Sequence, residues 1–338
     1  MPSGNMWPFA FPPTARERKE LHTRLMVWRR AAERLPIDFA LRLDQPYFGD
    51  PSHAFVQEQE NAELETRNTT VQPCAPGCAH IVDLERRPNP FLGITSDVVG
   101  ITGYLQTGPR FNAQVYTGML ESAKVVIKVY QSSWMLLLSD FDFLTKDEVY
   151  TAREADFWGF VMEQWAYERM RPIHGMGIPH VYGFFEVKLP HGEPCIAMVL
   201  EFIEPLDPRL DVKDVCGGEE VALEVIGTRL LLVLHAVNSC DIYPRDTAVQ
   251  NLIVPQECPT ALVFVDFADC ASLKANELQN GIRQVYFLLT SFGFAVPLVR
   301  TWLRNKLKGN EAWRAMFDIP PDNWDMVNKV LFLDFGYD

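Results

Sequence analysis

The chain has 338 residues, 48% hydrophobic and 22% charged, with 20 glycines and 24 prolines. That balance excludes a disordered, fibrous or membrane-embedded chain, and the length suffices for two domains or one large two-lobed domain with a full core. The net charge of −13 argues against a duplex-binding surface, which needs Lys and Arg to neutralise phosphates, so no nucleic-acid partner is expected.

The longest apolar runs, around Leu230–Val237 and Tyr286–Val299, are broken by His235 and Ser291. They fall short of the roughly 20 residues of a bilayer span, so none is expected. The opening MPSGNMWPFAFPP lacks the charged start and continuous apolar core of a secretory signal. Residues 1–35 carry seven Arg or Lys, but Glu17, Glu20 and Glu33 weigh against a mitochondrial presequence, which is acid-poor. Seven cysteines scattered along the chain fit a reducing compartment, and an intracellular, cytoplasmic location is expected. Cys74, Cys78 and His80 have a spacing that could seed a zinc site, yet no second pair follows, and they read as loop residues without metal.

In chain order, residues 16–35 place Leu21, Leu25, Trp28, Ala32 and Leu35 on one face of an amphipathic helix, read as packed on the main domain in preference to a membrane-surface or targeting helix. Residues 40–96, polar, acidic and punctuated by six prolines, read as a largely irregular connector that completes an N-terminal extension over 1–96. From Asp97 the texture turns β-branched and aromatic. Strands are expected over Val98–Leu105, Ala113–Leu120 and Lys124–Tyr130, a helix over Ala152–Met170, and two more strands over Val181–Lys188 and Cys195–Phe202 around the turn LPHGEP. An apolar helix over Glu219–Val237, short strands near Leu252–Val254 and Leu262–Val265, and a helical tail follow.

Chemistry-bearing residues sit at the ends of these elements. Lys128 lies in the apolar strand VVIKVY, Asp246 and Asn251 are spaced D-x-x-x-x-N ahead of a short strand, and Asp266 ends the next one. A tight hairpin between the two strands would bring Asp246, Asn251 and Asp266 to one end. Hard oxygen ligands together with a Lys are what a magnesium nucleotide needs. Taken singly, each residue has a plainer reading: a strand Lys is usually solvent-facing, and an Asp beside a turn is usually a cap.

In combination these segments resemble the protein-kinase-like superfamily over about Val98–Asp269, and divergent fungal kinase-like proteins are similar in texture. VVIKVY resembles the V-A-I-K strand, PRDTAVQN the H-R-D-x-x-x-x-N catalytic loop and DFA the D-F-G motif. The resemblance implies an α+β, two-lobed protein-kinase-like fold: a five-stranded antiparallel N-lobe sheet (97–205) and a reduced, mostly helical C-lobe (206–338). It implies ATP and Mg²⁺ as cofactors. Lys128 would meet the α/β-phosphates, Asp246 would orient or deprotonate the acceptor hydroxyl, and Asn251 and Asp266 would hold Mg²⁺. Glu163, chosen over Glu168, would fix Lys128. VLEFIEP resembles the hinge, with Leu200 at the gate, the Glu201 carbonyl and Ile203 amide bonding adenine, and Val115, Val126 and Ile253 packing on its faces.

Departures accompany these matches. In GPRFNAQV only Gly108 of the three loop glycines remains, with Arg110 and Ala113 in place of the others; Arg110 could itself meet phosphate. Pro244 stands for the catalytic-loop His, Ala268 for the last Gly of D-F-G, and Ala248 for the basic residue that meets the transferring phosphate. No A-P-E motif is visible, and the 72 residues after Asp266 leave little room for a full activation segment. The implied function is transfer of the ATP γ-phosphate to a hydroxyl on a protein Ser/Thr or a small molecule. The other reading is a pseudokinase that binds nucleotide or a protein partner as a scaffold.

Overall fold

The computed structural model describes residues 15–46, 84–108, 111, 113–133, 159–273 and 280–317. The architecture is α+β, and the chain divides into two compact units. The first comprises residues 1–56, 89–164 and 180–202; the second comprises 57–88, 165–179 and 203–338. Cys74, Cys78, His80 and Arg110, residues 152–158 of the expected helix and the last 21 residues lie outside the described residues.

The first unit runs through α1 (Ala15–Ala31), β1 (Ala40–Arg42), β2 (Gln45–Pro46), β3 (Val98–Gln106), β4 (Gln114–Leu120), β5 (Ala123–Tyr130), the start of α2 (159–169), β6 (Val181–Lys188) and β7 (Pro194–Glu201). All seven strands form one antiparallel sheet in the order β1-β3-β4-β5-β7-β6-β2. The five strands expected from β-branched and aromatic runs are its centre. The outer two, from the start of the connector, correct the expected five-stranded sheet to seven strands. Leu41 of β1 pairs with Val99 of β3, and four residues further on Gln45 and, next to it, Pro46 of β2 pair with Glu186 and Phe185 of β6. One heptapeptide thus covers both long edges, which would otherwise present unpaired backbone groups, and the sheet curls. Two- and three-residue strands carry no readable period, and Pro46 is tolerated because β2 is an edge. The helix α1 ends at Ala31, short of the expected Leu35; Pro36 disfavours helical backbone at the residue before it.

Alternation sorts the two faces of the sheet. Val125, Ile127 and Val129 of β5 join Leu41, Val99, Tyr116, Leu120, Ala197 and Val199 in one fully buried core. Burial pushes the Tyr116 phenol up to about 12, so it is neutral throughout the physiological range. The other residues of β5, Val126, Lys128 and Tyr130, therefore face the opposite side, across from Leu200, Met198 and Ile196 of β7.

The second unit contains the end of α2, α3 (Val212–Val215), α4 (Glu219–Ser239), two small ladders, and α5 (Asn280–Ser291), α6 (Val296–Gly309) and α7 (Glu311–Met316). The ladders pair β8 (Ile242–Pro244) with β11 (Cys270–Ser272), and β9 (Leu252–Ile253) with β10 (Val263–Phe264). Twelve of the 21 residues of α4 are buried, from Ala222 to Asn238, so it is the unit's central helix. Residues 84–88 strap this unit: Arg87 N–H donates to Gly175 O, its guanidinium to Ile178 O, and Arg86 to His174 O. No helix among the described residues is long and apolar enough to cross a membrane.

Gly227 marks where α4 and α6 meet most tightly. A Cβ there would lie 2.5 Å from the Trp302 ring, and that indole cannot easily retreat because its Nε1 donates to Glu224 at 2.8 Å. Gly227→Ala is expected to destabilise the protein by about 1–3 kcal/mol, despite alanine's better helix propensity, measured by denaturant unfolding. A gain in stability would show that the α4–α6 contact is loose.

Candidate functional site

Each unit carries one group of the sequence-selected residues. In the first, Lys128 reaches from β5 to Glu163 on α2, Nζ to Oε2 2.6 Å. The Lys side chain is 12% exposed and that of Glu163 1%. Of the two glutamates, Glu163 is therefore the partner. Five helical positions separate Glu168 from it, about 500° of rotation, and Glu168 lies in the half of α2 that belongs to the second unit. A carboxylate this buried needs compensation, and it receives more than the ammonium: the Tyr130 hydroxyl also donates to Glu163 Oε2.

Beside this pair the strand face is apolar. Val115 sits directly opposite Lys128 in the β4–β5 ladder, and Val126 opposite Leu200 in the β5–β7 ladder, so these four share one side of the sheet. Glu201, next after Leu200, is fixed on its own strand end: its N–H donates to His180 O at 2.9 Å and its carboxylate accepts from His180 N–H. Ile203 and Ile253 belong to the second unit. There Ile253, with Leu206, Leu210, Gln250 and Phe292, lines an open groove of about 670 Å³.

The turn after β3 holds a feature that the sequence pattern passes over. Gln114 is fully buried, and its amide clamps the loop: Oε1 accepts from Gly108 N–H at 2.6 Å, and Nε2 donates to Gly108 O at 3.1 Å. Gly108 has φ +127°, a conformation that glycine alone adopts freely. Gly108 is thereby fixed, and its backbone donor is already satisfied. A lone Gln at the start of a strand gives no such signal in sequence.

In the second unit, Asp246, Asn251 and Asp266 gather around the β9–β10 hairpin. Asn251, 5% exposed, donates from Nδ2 to the Asp246 carboxylate at 3.1 Å and to the Asp246 carbonyl at 3.2 Å. With its amide nitrogen so turned, Oδ1 is the atom left for a cation. The Asn251 carbonyl accepts from Val265 N–H, 2.8 Å, which brings the start of the DFA segment alongside. Asp266 has φ +65°, and its carboxylate accepts from Ala268 N–H. The left-handed turn is strained for a non-glycine residue, least so for Asp and Asn. Phe267 holds the turn in place, fully buried against Tyr167 at 5.3 Å and Phe264 at 5.1 Å.

The loop's base is equally fixed. Arg245 and Asp246 N–H both donate to Asp269 O, and the Pro244 carbonyl accepts from buried Gln284 at 2.6 Å. Pro244 pairs with Cys270 without loss to the ladder, which has only two strands. Ala248 begins the single turn Val249–Asn251 and brings no charge.

Among the described residues no group of three or more His, Cys, Asp or Glu is arranged to hold a metal ion. Asn251 Oδ1 and the Asp266 carboxylate are hard oxygens, the atom type that could hold Mg²⁺, which needs only one or two protein ligands. Thiol chemistry has no support at Cys195, which burial, and then Glu193, push well above the ordinary thiol range. Neither the scan against protein-family models nor the search of curated proteins returns a match for this chain.

Proposed function

We propose that the chain is an ATP-dependent phosphotransferase of protein-kinase-like type, acting on a hydroxyl acceptor. The observation that carries this reading is the buried Lys128–Glu163 pair at 2.6 Å, next to Val115 and Val126. A stability role alone would be better served by hydrophobic residues, since desolvating two charges costs about what their attraction returns. A lysine held rigidly by a buried carboxylate suits a flexible ammonium that must meet phosphate oxygens.

On this reading Lys128 neutralises phosphate charge, and Val115, Val126 and Leu200 offer apolar surface to the base, with Glu201 bonding it by backbone. Asn251 and Asp266 supply the metal's protein ligands, and Mg²⁺, when bound, offsets the charge of the transferring phosphoryl group. Asp246, its carboxylate steadied by Asn251 Nδ2, takes the proton of the acceptor hydroxyl as its oxygen bonds to the γ-phosphorus and ADP leaves. Two-lobed kinase-like architecture belongs to the same proposal.

One observation favours the second reading, a nucleotide-binding pseudokinase. Gly108 N–H, a loop amide of the kind that cradles phosphate, is bonded to Gln114 instead, and Ala248 supplies no charge to the transferring phosphate.

Titrating ATP with and without Mg²⁺, then assaying the same sample for ADP release, separates the two. Affinity that rises with Mg²⁺, followed by turnover, is the expected result. Metal-independent binding without turnover would leave the pseudokinase, and no binding in either condition would overturn both.

A further inference from the structure

Tyr130 touches α2 twice. Its ring meets Phe160 edge-on at 4.8 Å, and its hydroxyl donates to Glu163, three residues further along the same helix face. It also stands two residues beyond Lys128 on the same side of β5, with the Lys128 ammonium 5.6 Å from its ring centroid. The sequence reading of such an aromatic is core packing. Packing, however, would be met by phenylalanine, and a buried hydroxyl adds nothing unless it has a partner. Here it ends on the same carboxylate oxygen that receives Lys128.

We propose that Tyr130 is a positioning residue for Lys128: its hydroxyl holds the Glu163 carboxylate in place, so that the lysine's anchor stays fixed while the ammonium is shared with phosphate. This rests on the phosphotransferase reading for its purpose, but the contact itself is independent of nucleotide. Glu163, 1% exposed, cannot recover a lost donor from water. Without the hydroxyl the carboxylate keeps its charge but loses one of the bonds that orient it, and the lysine's stem follows.

The test uses the full chain and Tyr130→Phe, which keeps the ring against Phe160. First, Lys128 acylation by an amine-reactive ester is timed by mass spectrometry without nucleotide, with exposed Lys308 as reference. The contact with Glu163 occupies the amine and leaves it 12% exposed to reagent, so loosening the pair should speed Lys128 labelling by about fivefold while Lys308 is unchanged. Second, kcat for phosphate transfer should fall about tenfold in Tyr130→Phe, and the double variant with Glu163→Gln should be no slower than Glu163→Gln alone. A packing role predicts additive losses instead. Unchanged Lys128 labelling, or additive losses, would overturn the proposal. If the wild-type chain turns nothing over, the phosphotransferase reading falls, while the labelling rates still decide whether Tyr130 fixes Lys128.

Discussion

Lys128→Met is expected to abolish phosphate transfer, with a fall on the order of a thousandfold in kcat, the scale of removing one preorganised charge contact from a transition state. The same change should also lower the melting temperature. A solvent-facing strand lysine would leave stability untouched, but this one compensates a carboxylate that is 1% exposed. Removing one partner of a buried pair costs roughly 3–5 kcal/mol, less whatever the Tyr130 hydroxyl still contributes. Lys128→Arg separates the two effects. A guanidinium preserves the charge opposite Glu163 and should restore much of the stability, yet its planar fork does not reproduce the ammonium's reach, so transfer should stay low. Full turnover in Lys128→Met, measured on folded protein, would remove the lysine from the chemistry.

Why Lys128 could be found in sequence, and Tyr130's role could not, is a matter of the segments that accompany each residue. A charge inside VVIKVY is a plain strand position by itself, and it gains meaning only beside the D-x-x-x-x-N and DFA segments. Tyr130 continues the apolar run and gains none, because the hydroxyl's partner is 33 positions away on α2. The five long strands were legible from their β-branched and aromatic runs of seven to nine residues; β4 and β5 bury alternate residues, whereas β7 is buried on both faces. The β1–β2 heptapeptide was not legible, since its strands are chosen by the free edges of β3 and β6 and by the seating of Leu41 and Leu43 in the core, not by any local preference. The β8–β11 pairing likewise depends on contacts that the DFA turn brings back over 26 residues or more, from Pro244 to Cys270 at the nearest. Spacing did carry the acidic group: D-x-x-x-x-N is one turn of chain, short enough for Asn251 to reach back to Asp246. Gln114 fell between the two cases. It stands next to the loop it clamps, but its burial is set by Leu120 and Tyr116 turning the strand inward, and no side-chain pattern announces that.

Asp266→Asn is the sharpest test of the metal assignment, because it alters charge with little else. Asp266 is held at φ +65°, where most side chains clash with their own backbone and Asn is among the few that do not. The amide oxygen can still accept from Ala268 N–H, and Phe267 remains packed on Tyr167 and Phe264. The fold should therefore survive, with a melting temperature near that of the wild type. What is lost is one negative charge from an oxygen set whose other protein member, Asn251, is neutral. Mg²⁺ binds through charge and prefers carboxylate, so the rise in ATP affinity on adding Mg²⁺ should largely vanish in Asp266→Asn, and turnover should fall by about a hundredfold or more. Asp266→Ala is the companion variant: it also removes the Ala268 bond and strains the left-handed turn, so it should cost stability as well as metal dependence. If Asp266→Asn keeps the wild-type Mg²⁺ dependence while Asp266→Ala destabilises, Asp266 serves only to turn the chain, and the cation, if the protein binds one, is held elsewhere.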